Sequence, residues 1–269
     1  MKSSFRHKLL AVLLAGSGLS LVATGAQAVT ANLHTAGDTV TFSSDSTGGA
    51  AIYQNPLSLN DIVSGTGVFQ PFLTVQANGT ESGFSTDNDS DLPLDTKRSN
   101  FLNTFSISQI DLASGFASFY LDINEPDNNK SKISLEELRV YVTGSAAPVM
   151  LNGTTIDALA DLESQGWSKV YDLNANILSL DYSAIGNGSG RPDLEFLLPA
   201  TVFDGFDASY RVVFATRFGN ADPSDAGFEE WSFKATDIFI PPVTVPEPAS
   251  LALLGLGMVG LAAMRRRRV

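Results

Sequence analysis

Apolar and polar residues alternate along most of this chain, and this period of two predicts β-strands. Clusters of Gly, Asn, Asp and Pro separate the alternating segments, as is typical of turns. Many short strands of this kind favour an all-β fold, a β-sandwich of the jelly-roll type. The ten predicted strands are residues 37–43, 68–75, 105–110, 116–121, 138–142, 168–173, 176–182, 194–198, 210–218 and 231–239.

One short helix is expected to interrupt the strands. Thr154 and Asp157 have the spacing of a capping box, apolar residues follow at helical spacing, and Gly166 is placed to end the helix. A single helical turn is also expected at residues 134–138, just before the strand at 138–142.

The C-terminal residues predict a membrane-targeting segment. Pro246-Glu247-Pro248 is followed by an apolar run at 249–264 and then by Arg265, Arg266, Arg267 and Arg268. Sixteen helical residues span roughly 24 Å, against roughly 30 Å of hydrocarbon, so the run predicts a short transmembrane helix. The arginines are expected to stay on the cytoplasmic side, because moving them through hydrocarbon is costly.

These three parts, in this order, resemble the PEP-CTERM sorting signal of Gram-negative bacteria. The resemblance covers about residues 245–269 and implies recognition by exosortase, a membrane protease-transpeptidase. It further implies cleavage near Pro246–Pro248 and transfer to the cell surface or the extracellular matrix. The resemblance concerns sorting and says nothing of an activity.

The N-terminal residues predict a secretory signal peptide. Lys2, Arg6 and Lys8 precede an apolar run at 9–22, and Ala26-Gln27-Ala28 has the form of a cleavage site. The predicted organisation is a signal peptide (1–28), a β-sandwich domain (29–240), a Pro-rich spacer with the Pro-Glu-Pro motif (241–248) and a sorting helix with its Arg cluster (249–269). We therefore expect export by the Sec translocon, transient residence in the inner membrane and a final place at the cell surface or outside it.

Charge and cysteine content narrow the function further. Residues 29–248, which follow the signal peptide and extend to the end of the Pro-Glu-Pro motif, hold 29 acidic and 10 basic residues, a net charge of −19. Such a surface disfavours nucleic acid and anionic lipid as partners and favours solubility or cation binding. The chain has no cysteine, which excludes thiol catalysis, thiolate metal sites and disulfides.

Acidic loops are the candidate cation sites, with calcium as the cation. Calcium prefers six to eight oxygen ligands, which clustered Asp and Asn side chains in a turn supply. The alternative for each loop is a solvated turn, where the same residues are favoured by local hydrogen bonds. The first loop offers Asp87, Asp89 and Asp91, the second offers Asp122, Asn124 and Asp127, and a third spans 220–225 ahead of Glu229 and Glu230.

Hydrolytic chemistry finds little support in the chain. His34 is the one histidine after residue 28, no G-x-S-x-G elbow is present, and no H-E-x-x-H occurs. A carboxylate pair of the glycosidase kind stays open, since many acids are present. Glu229 and Glu230 are not such a pair by themselves, because neighbours in a strand face opposite ways.

Aromatic residues offer a sugar-binding alternative. Trp167 is the candidate for stacking on a polysaccharide, with Trp231, Tyr53, Tyr171 and Tyr182 as further candidates for such a platform. The competing interpretation places these rings in the core, and it is the stronger one for Trp231.

The sequence thus predicts an exported, non-enzymatic surface or biofilm-matrix protein with an adhesion or structural role, supported by calcium. A carbohydrate-binding module and a glycoside-active enzyme with paired carboxylates are the alternatives. The expected partners are exosortase, the Sec translocon, the inner membrane before processing, and extracellular polysaccharide.

Overall fold

The strands of the computed structural model form two large sheets and one small ribbon. The structure describes residues 22–23, 28–43, 50–56, 71–88, 92–97, 103–126, 131–151, 163, 166–184 and 192–236. The chain divides into two units, residues 1–236 and 237–269, and all the described residues belong to the first unit.

The described part of the chain is almost entirely β-structure, with short 3-10 helices at Ile107–Gln109 and Ala200–Phe203. In chain order the strands are β1 (Val22–Ala23), β2 (Thr30–Leu33), β3 (Thr39–Ser43), β4 (Ala50–Gln54), β5 (Leu73–Val75), β6 (Asn78–Gly79), β7 (Glu81–Phe84), β8 (Phe105–Ser106), β9 (Phe116–Ile123), β10 (Lys132–Val142), β11 (Ser168–Asp172), β12 (Ile177–Asp181), β13 (Leu194–Pro199), β14 (Arg211–Phe218), β15 (Ser224–Asp225) and β16 (Glu229–Phe233).

Most strands that pair within a sheet are distant in sequence, although β3 pairs with β4 and β10 with β11. Sheet I has the order β1-β3-β4-β13-β9-β16-β5. Sheet II has the order β2-β12-β10-β14-β7, with β11 also pairing with β10 and β8 with β14. The β1/β3 and β2/β12 pairs are parallel, the other pairs are antiparallel, and β6 and β15 form the ribbon. Because few pairings are local, these sheets bring together residues that no sequence motif connects.

Aromatic side chains fill the space between the two sheets. The ring of Phe214 on β14 lies 4.6 Å from that of Phe119 on β9 and 5.8 Å from that of Trp231 on β16, measured between centroids. The hydroxyl of Tyr53 on β4 donates to that of Tyr171 on β11 over 2.6 Å. These contacts join sheet I to sheet II, as the predicted all-β sandwich requires.

Most of the predicted strands are confirmed, but one predicted helical turn is part of strand β10. The helical turn expected at 134–138 is wrong, because these residues lie inside β10. The pairing of β10 with β14 shifts register between Leu135 and Glu137, so Leu135 and Leu138 are both buried. This bulge produces apolar residues three apart within a strand, a spacing that looks helical in the sequence.

Two further differences arise from tertiary pairing. Residues 105–110 were predicted as one strand, but only Phe105 and Ser106 pair with β14 before the 3-10 turn begins. The strands β2, β4 and β7 were not predicted, because segments of four or five residues give little periodicity and gain their stability from their neighbours.

Several predictions fall on residues outside the described ranges. They include most of the signal peptide, the tail from 237 onward, and the helix from Thr154 apart from Glu163 and Gly166. Within the described ranges, no helix has the length and apolar character needed to cross a bilayer.

Candidate functional site

Asp87, from the first acidic loop, is held by a set of hydrogen bonds to protein groups. Its carboxylate accepts from the backbone N–H of Thr104 at 2.9 Å, the Thr104 hydroxyl at 2.6 Å and the Val149 N–H at 2.6 Å. It therefore ties the chain after β7 to two other segments. Asp89 and Asp91 lie outside the described residues.

Asp122, from the second loop, lies on the outer face of sheet I. It is opposite Glu230 in the β9/β16 register, and it is buried. Burial, and next the charge of Asp122, raise the pKa of Glu230 to about 6. Asn124 is tied through its N–H to the carbonyl of Phe228 at 3.0 Å, and Asp127 lies outside the described residues.

The second and third acidic loops meet through Glu125. Its carboxylate accepts from the N–H of Asp225 at 2.9 Å and from that of Gly227 at 3.0 Å. Gly227 also packs directly on the backbone of residues 124–125, where a side chain would collide with Asn124 and Glu125. The close approach of the two loops thus depends on a glycine at this position.

Three carboxylates converge at this junction, and we call them the inner carboxylate cluster: Glu81, Glu125 and Glu229. One ligand oxygen from each lies within 4.8 Å of the others. Glu81 begins β7 in sheet II, Glu229 begins β16 in sheet I, and Glu125 follows β9. The cluster therefore links the two sheets at one end of the core.

Strand register aims two of these side chains inward. Glu229 is opposite Ile123 of β9 and Val75 of β5, and Trp231, two residues further on the same face, is in the core. Glu81 is opposite Phe218 of β14, another core residue. Both glutamates are fully buried, whereas Glu125 is partly exposed.

The buried carboxyl groups have few protein donors. One Glu81 oxygen accepts from the N–H of Ala77 at 2.7 Å. Its other oxygen and both oxygens of Glu229 are buried, and no N–H or hydroxyl of the described residues donates to them. No Lys or Arg within those residues forms an ion pair with the cluster. Buried charges without partners are costly, so this arrangement needs a proton or a cation.

Electrostatics strengthen that requirement. Burial raises the pKa of Glu81, and burial together with the neighbouring Glu81 raises the pKa of Glu229 well above its ordinary value of 4.5. At a separation of 4.8 Å and an effective dielectric constant of about 20, each ionised pair repels by about 3 kcal/mol. Without a cation, one proton shared between Glu81 and Glu229 relieves this repulsion, with Glu229 as the donor.

The aromatic candidates are mostly buried. Trp231, Tyr53 and Tyr171 have no solvent exposure, so the proposed platform that included them is wrong. Trp167 is partly buried and packs beside a second hydrophobic cluster of Phe84, Tyr141, Val149, Val213 and Ala215. It is the tryptophan with some accessible surface.

His34 joins a polar chain with Ser179 and Asp222. The Ser179 hydroxyl donates to the Asp222 carboxylate at 2.6 Å, and the Nε2 of His34 lies 3.0 Å from the same hydroxyl. In a hydrolytic triad the histidine stands between the serine and the acid, whereas here the serine stands in the middle. The arrangement fits a structural hydrogen-bond chain linking β2, β12 and the loop after β14.

Sequence reasoning recognised part of the inner carboxylate cluster. Glu125 lies between Asn124 and Asp127 of the second acidic loop, and Glu229 follows the third loop. The prediction that Glu229 and Glu230 face opposite ways is confirmed. Glu81 was missed, because it stands alone between Thr80 and Ser82 and no local signal marks it. Only the pairing of β7 with β14 and the packing of the sheets bring it to the other two.

The comparisons with known proteins concern the tail. Residues 244–268 match the family model of the PEP-CTERM protein-sorting motif. This confirms the resemblance seen in the sequence and indicates an exported protein sorted by an exosortase. No curated protein and no solved structure shows significant similarity to the chain.

Proposed function

We propose that this chain is a cell-surface or extracellular-matrix protein whose folded domain has an adhesion or structural role and no enzymatic one. The proposal depends on one observation: the sorting motif at residues 244–268 follows an all-β domain in the sequence. The signal peptide at 1–28, passage through the inner membrane on the helix at 249–264 and a jelly-roll course of the strands belong to the same proposal.

The arrangement of polar groups supports a non-enzymatic role. Glu81 and Glu229 are close enough to act together, but both are buried and face the core, where a polysaccharide has no access. Ser179 is buried and donates to an acid instead of facing a histidine base backed by one. Calcium support of the fold is also part of the proposal, since the exported part is strongly acidic.

Replacement of the motif tests the sorting half of the proposal. Pro246→Ala is expected to reduce display at the cell surface, measured by protease accessibility on intact cells and by fractionation. Pro242→Ala makes the same chemical change outside residues 244–268 and is expected to leave display unchanged. Equal display of both variants would contradict exosortase sorting of this chain.

An activity screen tests the functional half. The purified protein is incubated with a panel of extracellular polysaccharides, and reducing ends are measured against a buffer control. We expect no release above the control. Release that is lost in Glu229→Gln or Glu81→Gln would instead establish the glycoside-active alternative.

Carbohydrate binding is the second candidate function, and the surface around Trp167 favours it. The ring is partly exposed, and Met150, which follows Val149 of the adjoining hydrophobic cluster, is 63% exposed. A partly exposed indole suits stacking on a sugar ring. If this alternative holds, Trp167→Ala abolishes retention on immobilised polysaccharide at a temperature at which circular dichroism shows the variant still folded.

A further inference from the structure

We infer that the inner carboxylate cluster is a calcium site that joins the two sheets. The ligands are Glu81, Glu125 and Glu229, and none of them is among the six acidic-loop residues that the sequence suggested for calcium. The inference deepens the proposed function, because an exported protein meets far more calcium than a cytoplasmic one.

The evidence for a ligand is Glu229 itself. Its side chain is fully buried, both of its oxygens lack a donor among the described residues, and it points at Glu81 and Glu125. A buried carboxylate usually accepts several hydrogen bonds. The lack of donors to Glu229, at the centre of three acids, therefore indicates that a cation binds there.

The rest of the site is held ready by the backbone. The Asp225 and Gly227 N–H groups fix Glu125, and the Ala77 N–H fixes Glu81. A carboxylate oxygen that accepts one hydrogen bond keeps a second lone pair for a metal. Glu81 and Glu125 are therefore oriented before the cation arrives, which lowers the entropic cost of binding.

The donor set selects calcium among the common cations. Three carboxylates supply up to six oxygens, some of them bidentate, and calcium accepts such irregular geometry. Magnesium demands a near-octahedral shell and retains several waters, which a site with two fully buried ligands accommodates poorly. Zinc prefers nitrogen and sulfur ligands, and the three residues of the cluster supply only oxygen.

Access for the ion is through Glu125. Glu125 is partly exposed, while the other two ligands are buried, so the ion enters from the side of the 124–126 loop. Binding neutralises two of the three negative charges and pulls sheet I, sheet II and this loop together.

The test is calcium titration of the full-length protein, purified in detergent and stripped with EDTA. Calorimetry is expected to show binding, and calcium at about 100 times its Kd should raise the melting temperature by roughly 5–11 °C. Magnesium at the same concentration should give a much smaller shift. Absence of both binding heat and a calcium-dependent shift would overturn the inference and leave the shared proton as the explanation.

Two matched substitutions locate the site. Glu229→Gln keeps the shape of the side chain and is expected to weaken calcium binding at least 30-fold. Glu230→Gln changes the adjacent residue on the outer face and should leave the Kd within about threefold. Equal calcium response in the two variants would show that calcium binds elsewhere and would refute the assignment.

A third substitution covers the case in which Glu229→Gln does not fold. Glu125→Gln changes the partly exposed ligand and is expected to weaken binding about tenfold or more, and unchanged affinity there would count against the site. These results are independent of sorting, since Pro246→Ala should lose surface display yet bind calcium like the unaltered chain.

Discussion

A methyl group at Gly227 is the smallest change that should separate the two acidic loops. A Cβ built on this residue lies 2.6 Å from the Cα of Glu125 and 2.8 Å from the carbonyl carbon of Asn124, and closer still to the Asn124 oxygen. All three are backbone atoms, so no side-chain rotation relieves the collision. The two segments must move apart by about 1 Å to restore ordinary carbon contacts of about 3.5 Å.

Two costs add to give the expected magnitude. Overpacking of this kind destabilises by about 1–3 kcal/mol. Moving the loop also weakens the hydrogen bond from the Gly227 N–H to the Glu125 carboxylate, now 3.0 Å long, and bonds to charged groups contribute about 1.5–3 kcal/mol. We therefore expect Gly227→Ala to lower the free energy of unfolding by about 3–5 kcal/mol. The melting temperature should then fall by roughly 6–20 °C.

The assay is urea unfolding with Gly144→Ala as the control. At Gly144 a built Cβ lies 3.9 Å from the nearest atom, the Gly166 oxygen, and the backbone is outside the left-handed region. That substitution is expected to be neutral or to stabilise by about 0.4–1 kcal/mol, through the lower entropy of the unfolded chain. Gly227→Ala should also weaken calcium binding, because Glu125 loses its fixed orientation.

Unfolding free energies of the two alanine variants that agree within about 0.5 kcal/mol would contradict this expectation. That result would mean that the loops are not in close contact, and the convergence of Glu125 on the other two glutamates would lose its support.

The remaining predictions concern a buried hydroxyl pair and the first acidic loop. Tyr53→Phe leaves the buried hydroxyl of Tyr171 without its 2.6 Å partner and should cost about 1–3 kcal/mol, whereas the double Phe variant should cost less than the sum of the single ones. A double-mutant cycle by urea unfolding measures this, and strict additivity would contradict the hydrogen bond. Asp87→Asn removes acceptor strength from the bonds to Thr104 and Val149 and should lower the melting temperature by roughly 3–10 °C in both EDTA and calcium. A calcium shift that disappears in this variant would make Asp87 a ligand after all.

Local patterns were sufficient for the fold class and for most strands. Alternation in segments such as 210–218 and 116–121 predicts strands directly, and the structure has β14 and β9 there. The helical turn at 134–138 failed because a bulge between β10 and β14 places Leu135 and Leu138 in the core together. A bulge depends on the partner strand, which the local sequence does not reveal.

The tail and the acidic character of the exported part were determined by sequence alone. The order of Pro-Glu-Pro, apolar run and Arg cluster is a linear pattern, and the family model of the sorting motif matches it at residues 244–268. Net charge is likewise a sum over residues and is independent of their arrangement.

Tertiary structure alone decided where the acids meet. Glu81, Glu125 and Glu229 are separated by 44 and 104 positions in the numbering. The register of β7 on β14 and of β16 on β9, together with the packing of sheet I on sheet II, brings their oxygens within 4.8 Å. Whether an acid is a solvated turn residue, like many in this chain, or part of a buried charge cluster depends on what packs against it. That is a property of the sheets and not of the residue or its neighbours in sequence.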